Sequence, residues 1–287
     1  MPTPDELDRS TSGNGKTGRH KKLKHPKRIE TEHLRKGIYI LPNLVTTGGM
    51  ACGFYSIIQS IEGDFVAAAY LIVIASIFDL FDGRVARMTK TTSAFGVQYD
   101  SLSDLSAFGV APAILLHQWG LQEFGRTGWL AAFLFFCCGA LRLARFNVQA
   151  ATPGPAKKFF TGLPIPFAAN TVAATIILWG YIFGDVASHN FFVLLMVFSL
   201  AFLMVSTVPY RSFKDFDLKG GRSFQALVCL IILIMLVVSN PPPMLFGVAM
   251  AYVVSGPLEL LYRGSRRGAQ MAVAARSRRR RPREIED

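Results

Sequence analysis

Residues 79–104 read DLFDGRVARMTKTTSAFGVQYDSLSD, preceded by IVIASIF (72–78) and followed by LSAFGVAPAILL (105–116). Four aspartates therefore stand inside or beside hydrocarbon-like sequence. An ionisable side chain there is expensive to place and marks a functional site by default. Asp79, then Asp82 and Gly83, then Ala86 and Arg87 recur every three to four residues, which is one face of an α-helix. Gly96, Asp100 and Asp104 recur at intervals of four and share one face of the next helix. The two helices are expected to be antiparallel, joined by the short turn MTKTT, with their acidic faces opposed.

The surrounding composition fits a membrane. The chain has 287 residues, 51% hydrophobic and only 17% charged, yet its formal net charge is +12. Apolar stretches recur at 39–60, 65–87, 94–117, 127–147, 166–184, 190–209, 223–239 and 243–262. Each approaches the ~20 residues that carry a helix across a ~30 Å hydrocarbon core. The expected fold is an all-α membrane protein, a polytopic bundle of about eight transmembrane helices. With the N-terminus inside, only Arg126 of the 31 Lys and Arg falls on the outer side. Both termini are therefore expected in the cytoplasm. Asp100 and Asp104 then lie roughly 10–16 Å below the start of their helix near Ser93.

The basic excess gathers at the two ends and in inner loops, which is a topology signal and no argument for nucleic acid. Residues 1–36 read as a basic, disordered cytoplasmic arm suited to anionic headgroups or simply solvated. Residues 37–263 read as the membrane domain and 264–287 as a basic cytoplasmic tail. Cys52, Cys137, Cys138 and Cys229 all lie in apolar segments and fit neither a metal motif nor a disulfide framework. The polar start shows no apolar core of a secretory signal.

Four carboxylates this close in a low dielectric cannot all stay ionised without compensation. Arg87 supplies one positive charge. All-oxygen ligation points to Mg²⁺ or Mn²⁺ for the remainder. Three carboxylates can hold two such ions and leave a fourth as a base, an arrangement suited to displacement at phosphorus. Gly83, Ala86 and Gly96 take side chains off the same faces and leave room for a ligand. The competing structural reading, interhelical ion pairs with small-residue packing, leaves three aspartates uncompensated.

The pattern D-x2-D-G-x2-A-R-x8-G-x3-D-x3-D resembles the signature of the CDP-alcohol phosphotransferases, which residues 79–104 match at all eight specified positions. Chance agreement at one register is on the order of 10⁻¹⁰, at about one in twenty per position. The resemblance implies that Asp79, Asp82 and Asp100 bind the metals, two ions, and the diphosphate of a CDP-linked lipid. It implies that Asp104 is the general base, that Gly83, Ala86 and Gly96 line the cytidine site, and that Arg87 helps to hold phosphate. A homodimer is implied as well.

Four further segments resemble one branch of that family, the integral-membrane bacterial phosphatidylserine synthases. They are LPNLVTTGGMACGFYSI (41–57), SAFGVQYDSLSDLSAFGVAPA (93–113), LRLARFN (141–147) and FFTGLPIPFAA (159–169), with a weaker echo in STVPYRSFK (206–214). That resemblance implies CDP-diacylglycerol and L-serine as substrates and the bacterial inner membrane as location, with the site facing the cytoplasm. A serine carboxylate calls for a nearby guanidinium, so Arg142 and Arg145, with Asn147 beside them, are acceptor candidates. Inner-face anchoring explains either arginine equally well. Arg211 and Lys214 are weaker candidates of the same kind. Asn43 and Thr46 either reach the nucleotide or only cap and pack, and Gly162-Leu163-Pro164-Ile165-Pro166 reads as a stiff turn.

The expected reaction is a direct displacement in which Asp104 takes the proton of the serine hydroxyl as it attacks the phosphorus bearing diacylglycerol, and CMP leaves. Glycerol 3-phosphate, an inositol phosphate or choline remain alternative acceptors. A divalent-cation transporter is the rival of another class, but inverted repeats and a midplane site are absent from the pattern.

Overall fold

The computed structural model describes residues 29–89, 93–151, 159–184, 191–211, 228, 231–232 and 235–280. Side chains are described for these except at 29–41, 86, 87, 89, 151, 159, 160, 211 and 263–280. The basic arm before residue 29, Lys214, Cys229 and the side chains of Ala86, Arg87 and Arg211 thus lie outside the described residues. Residues 1–37 form one unit, described only as helix from 29, and 38–287 form the other.

The architecture is helical. In order come α1 (Ile29–Glu62), α2 (Phe65–Thr89), α3 (Ala94–Leu105), α4 (Ala111–Leu116), α5 (Gly125–Ala151), β1 (Phe159–Thr161), α6 (Ile165–Phe183), α7 (Phe191–Val205), β2 (Pro209–Arg211) and α8 (Pro241–Arg280). Among the described residues, Phe65–Val85, Ala94–Ala150, Ile165–Phe183 and Pro241–Tyr262 are long and apolar enough to cross a membrane. The second of these runs for 57 residues. It is interrupted at Gly125, whose φ of 52° suits glycine, and α5 packs back against the run before it.

Local signals explain the boundaries. Gly63, at φ 89°, turns the chain between α1 and α2, and the Asp64 carboxylate accepts the Ala67 N–H at 2.9 Å to cap α2. Ser93 caps α3 by accepting the Gly96 N–H at 2.9 Å. Between α3 and α4, residues Ser106–Val110 form a π-helical turn directly after Asp104, and a second follows at His117–Leu121. The apolar stretch 190–209 is helical only to Val205, because Val208 and Pro209 leave the helix to enter β2.

The β1–β2 pair is the one departure from an all-α reading. Phe159, Phe160 and Thr161 pair antiparallel with Arg211, Tyr210 and Pro209. Gly162 follows at φ 82° and donates its N–H to the Val208 carbonyl at 2.9 Å. Its Cβ, were there one, would lie 2.4 Å from the Met204 carbonyl oxygen. The turn expected at 162–166 is therefore built on glycine, with Pro164 capping α6.

Packing centres on α6, whose Ile165, Ala168, Ala169, Val172, Ala173, Ile176 and Ile177 are buried. It lies against α2 and α8, while α5 lies against α7. α1 seats itself through small residues, as expected where apolar burial alone does not favour helix association. A Cβ at Gly53 would stand 2.6 Å from the Ala107 Cα, and one at Gly48 3.0 Å from the Phe78 ring. The Ser56 hydroxyl adds a 2.8 Å bond to the Ala68 carbonyl.

This close approach makes a prediction. Gly53→Ala should destabilise the detergent-purified protein by about 1–3 kcal/mol in thermal unfolding, because backbone must move. Gly247→Ala, where nothing lies within 4 Å, should leave the midpoint unchanged or slightly raised. Equal midpoints for both variants would show that α1 is not seated through Gly53.

Candidate active site

α2 and α3 bring their aspartates together as their spacing requires. One carboxylate oxygen from each of Asp79, Asp82 and Asp100 lies within 4.8 Å of the other two. Asp104, one turn beyond Asp100, lines a narrow crevice with Asp79, Asp82, Thr46, Ser103 and Phe108. That crevice holds about 10 Å³, room for one water-sized sphere. Two hollows of about 430 and 410 Å³ lie elsewhere, along α4–α5 and α5–α7, and their linings contain no carboxylate. Size does not mark the chemistry here; the charge does.

The donor set fits a hard divalent cation. Ligand oxygens at about 2.1 Å from one Mg²⁺ stand at most about 4.2 Å apart, so small side-chain movements complete the set. Asp82 is only 5% exposed. The Thr46 hydroxyl lies 2.9 Å from Asp82 Oδ2 and 3.1 Å from the Pro42 carbonyl, sharing its proton between a carboxylate and its own helix. Thr46 therefore sits on Asp82, and its backbone carbonyl accepts a 3.2 Å bond from the Ser103 hydroxyl. α1, α2 and α3 are tied together at this point.

The glycines divide. Nothing lies within 4 Å of the Cβ position of Gly83, so the α2 face beside Asp82 opens into free space. The Cβ position of Gly96 is 3.2 Å from Ser93 Oγ and 3.5 Å from Asn43 Oδ1. Gly96 thus admits Asn43 of α1 to the start of α3.

The three acceptor candidates on α5 go to different places. Arg142 is buried, at 7% exposed, with its guanidinium 5.3 Å from the Phe146 ring centroid. Arg145 donates from Nη1 to the Val205 carbonyl at 3.0 Å, at the end of α7. Asn147 donates to Ser101 Oγ at 2.9 Å and so braces α3 beside Asp100. Of the three, only Arg142 is buried.

Several participants escape a reading of the sequence. Thr47 pairs with the Tyr99 hydroxyl at 2.9 Å, a second tie between α1 and α3. Ser103 neighbours Asp104 in sequence but bonds to a residue 57 positions away.

A helical, membrane-type chain with an all-carboxylate cluster beside a further aspartate and a buried arginine is the class defined so far. The family model for CDP-alcohol phosphatidyltransferase matches residues 39–205. The chain is 37% identical over 226 residues to the CDP-diacylglycerol–serine O-phosphatidyltransferase of Helicobacter pylori (strain ATCC 700392 / 26695), covering 78% of this chain and 92% of that one. It is 39% identical over 172 residues to the archaetidylserine synthase of Methanothermobacter thermautotrophicus, covering 59% and 69%. It is 31% identical over 186 residues to the CDP-diacylglycerol–serine O-phosphatidyltransferase of Bacillus subtilis (strain 168), covering 63% and 97%. The protein belongs to the CDP-alcohol phosphatidyltransferase family.

The bond from Thr46 to Asp82 carries a prediction. Thr46→Val keeps the shape and removes the donor, and should weaken divalent-ion binding about 10- to 100-fold. Free Mn²⁺ measured by electron paramagnetic resonance reads this directly. Unchanged affinity would reduce Thr46 to a packing residue.

Proposed function

We propose that the protein transfers the phosphatidyl group of CDP-diacylglycerol to the hydroxyl of L-serine, yielding phosphatidylserine and CMP. The observation that carries this reading is the placement of Asp104 in one crevice with Asp79 and Asp82 of the Asp79–Asp82–Asp100 cluster. The relatives named CDP-diacylglycerol–serine O-phosphatidyltransferase support the choice of substrates.

Asp79, Asp82 and Asp100 would hold Mg²⁺ or Mn²⁺, two ions in this reading, which neutralise the diphosphate and the departing CMP. Gly83 leaves the space for the nucleotide to lie against α2, Gly96 and Ala86 border it, and Arg87 holds phosphate. Asn43 stands at the edge of the same space. Asp104 accepts the proton of the serine hydroxyl as that oxygen bonds to the phosphorus bearing diacylglycerol. The bond from this phosphorus to the CMP oxygen breaks in the same displacement. Arg142 receives the serine carboxylate, since a guanidinium binds carboxylates through paired N–H donors.

The same reading has eight crossings with both termini in the cytoplasm, supported by the single outer-side Arg126 among 31 basic residues. The site then opens at the cytoplasmic leaflet of a bacterial inner membrane. There the lipid enters sideways while serine and CMP exchange with the cytosol. The family resemblance supports a homodimer, and the basic ends suit an anionic membrane surface.

CMP release from CDP-diacylglycerol in detergent, with Mg²⁺ or Mn²⁺, should depend on serine and stop on chelation. Asp104→Asn should lower kcat about 10²- to 10⁴-fold while metal binding persists. Release with glycerol 3-phosphate, an inositol phosphate or choline in place of serine would overturn the acceptor. Release with none would overturn the reaction. A second prediction concerns Gly83→Val, whose Cβ would meet nothing within 4 Å among the described residues. It should leave thermal stability and metal affinity intact yet raise the KM for CDP-diacylglycerol at least tenfold; an unchanged KM would remove Gly83 from the nucleotide site.

A further inference from the structure

Asn170 stands inside α6, a helix long and apolar enough to cross a membrane. A polar amide there is expensive and calls for an account of its own. Its Nδ2 donates to Ser76 Oγ of α2 at 2.7 Å and to the Pro166 carbonyl of its own helix at 2.9 Å. Its Oδ1 is buried and has no hydrogen-bond partner. A buried acceptor left unpaired is a cost, so the amide needs a reason beyond packing.

Ser76 supplies that reason by its place on α2. It lies one turn before Asp79, and its neighbour Ala75 lines the acidic crevice. The Ser76 hydroxyl donates to the Ile72 carbonyl at 3.2 Å, so its oxygen is anchored to α2 where it accepts from Asn170. The same two helices touch again at a distance, since a Cβ on Gly180 would stand 2.3 Å from Val66 Cγ2. Val66 to Ser76 and Gly180 to Asn170 are equal steps in opposite directions, about 15 Å each at 1.5 Å per residue. Both contacts therefore belong to one antiparallel alignment. Between them, the buried Ala69 and Ile72 of α2 and Ala173 and Ile177 of α6 are apolar. Apolar contact has no direction of its own and resists sliding or turning poorly.

We infer that Asn170 is a positioning residue for the metal cluster. Its bond to Ser76 fixes the depth and rotation of α2 and so delivers Asp79 and Asp82 to the spacing a divalent cation needs. Fixing helix register at some cost in stability is the best-attested use of a buried polar side chain. α1 supplies the complementary hold, with the Cβ positions of Gly48 and Gly49 at 3.0 and 3.3 Å from Phe78. α2 is thus gripped by two helices within one turn of Asp79. The inference rests on the reading that these aspartates hold Mg²⁺ or Mn²⁺.

Asn170→Leu replaces the amide by an apolar side chain of similar size, and Ser76→Ala removes its partner. In detergent-purified full-length protein, each should weaken Mn²⁺ binding about tenfold, read as free Mn²⁺ by electron paramagnetic resonance; that is the scale on which partners behind the ligands act. The double variant should bind no more weakly than either single one, because all three lack the same bond. With the metal chelated, the thermal midpoint of Asn170→Leu should be unchanged or raised, since an unpaired acceptor has gone. Unchanged Mn²⁺ affinity in both single variants would overturn the inference, and so would losses that add in the double variant. A midpoint that falls together with the affinity would overturn it too, by marking Asn170 as structural. An unaltered protein that binds no Mn²⁺ overturns the metal reading itself, and that result precedes any variant.

Discussion

Like charges crowded away from water are the constraint around which this molecule is arranged. Oxygens of Asp79, Asp82 and Asp100 lie within 4.8 Å of one another, and Asp104 stands in the same crevice. At an effective dielectric of about 20, each ionised pair at that distance repels by roughly 3–4 kcal/mol. The Thr46 hydroxyl returns about 1.5–3 kcal/mol to Asp82. Among the described residues, no Lys or Arg side chain lines the crevice. The fixed groups therefore leave the three-aspartate cluster short of positive charge. The same deficit that makes the bare arrangement unfavourable suits it to hold a divalent cation.

Holding such a cluster demands a scaffold that does not yield. α3 is pinned on three sides of its acidic face. Ser103 bonds to the Thr46 carbonyl, Tyr99 to Thr47, and Asn147 reaches Ser101 from α5. α1 can supply two of these contacts because Gly48, Gly49 and Gly53 let its backbone lie directly on Phe78 and Ala107. In a membrane, close packing of small residues and interhelical hydrogen bonds are the available adhesives. Both converge on the helix that bears Asp100 and Asp104.

Periodicity made the acidic faces legible in the sequence, because helical spacing converts directly into shared direction. Asp79, Asp82 and Asp100 meet as residues 79–104 led one to expect. The helical stretches begin and end close to the apolar runs at 65–87 and 166–184, where Asp64 and Pro164 supply the caps. What local pattern cannot convey is which distant partner a polar side chain meets. Spacing left Thr46 open between a nucleotide contact and packing, and its hydroxyl bonds to Asp82; Arg145 and Arg142 looked alike, yet one bonds to the Val205 carbonyl and the other lies over Phe146. The β1–β2 pair was hidden for the same reason: three-residue strands separated by two helices carry no periodic signal, and only Gly162 hints at the turn.

The placement of the two substrates follows from the same geometry. The groups proposed for the donor, the aspartate cluster and the open face at Gly83, come from α2 and α3, with α1 pinned against both. The residue proposed for the acceptor carboxylate, Arg142, comes instead from α5, where it is buried over the Phe146 ring. A change on that side can alter the fit of a small acceptor while the carboxylates keep their spacing. Separate construction of the two sides is therefore a physical means by which one phosphatidyl-transfer centre can serve different hydroxyl acceptors.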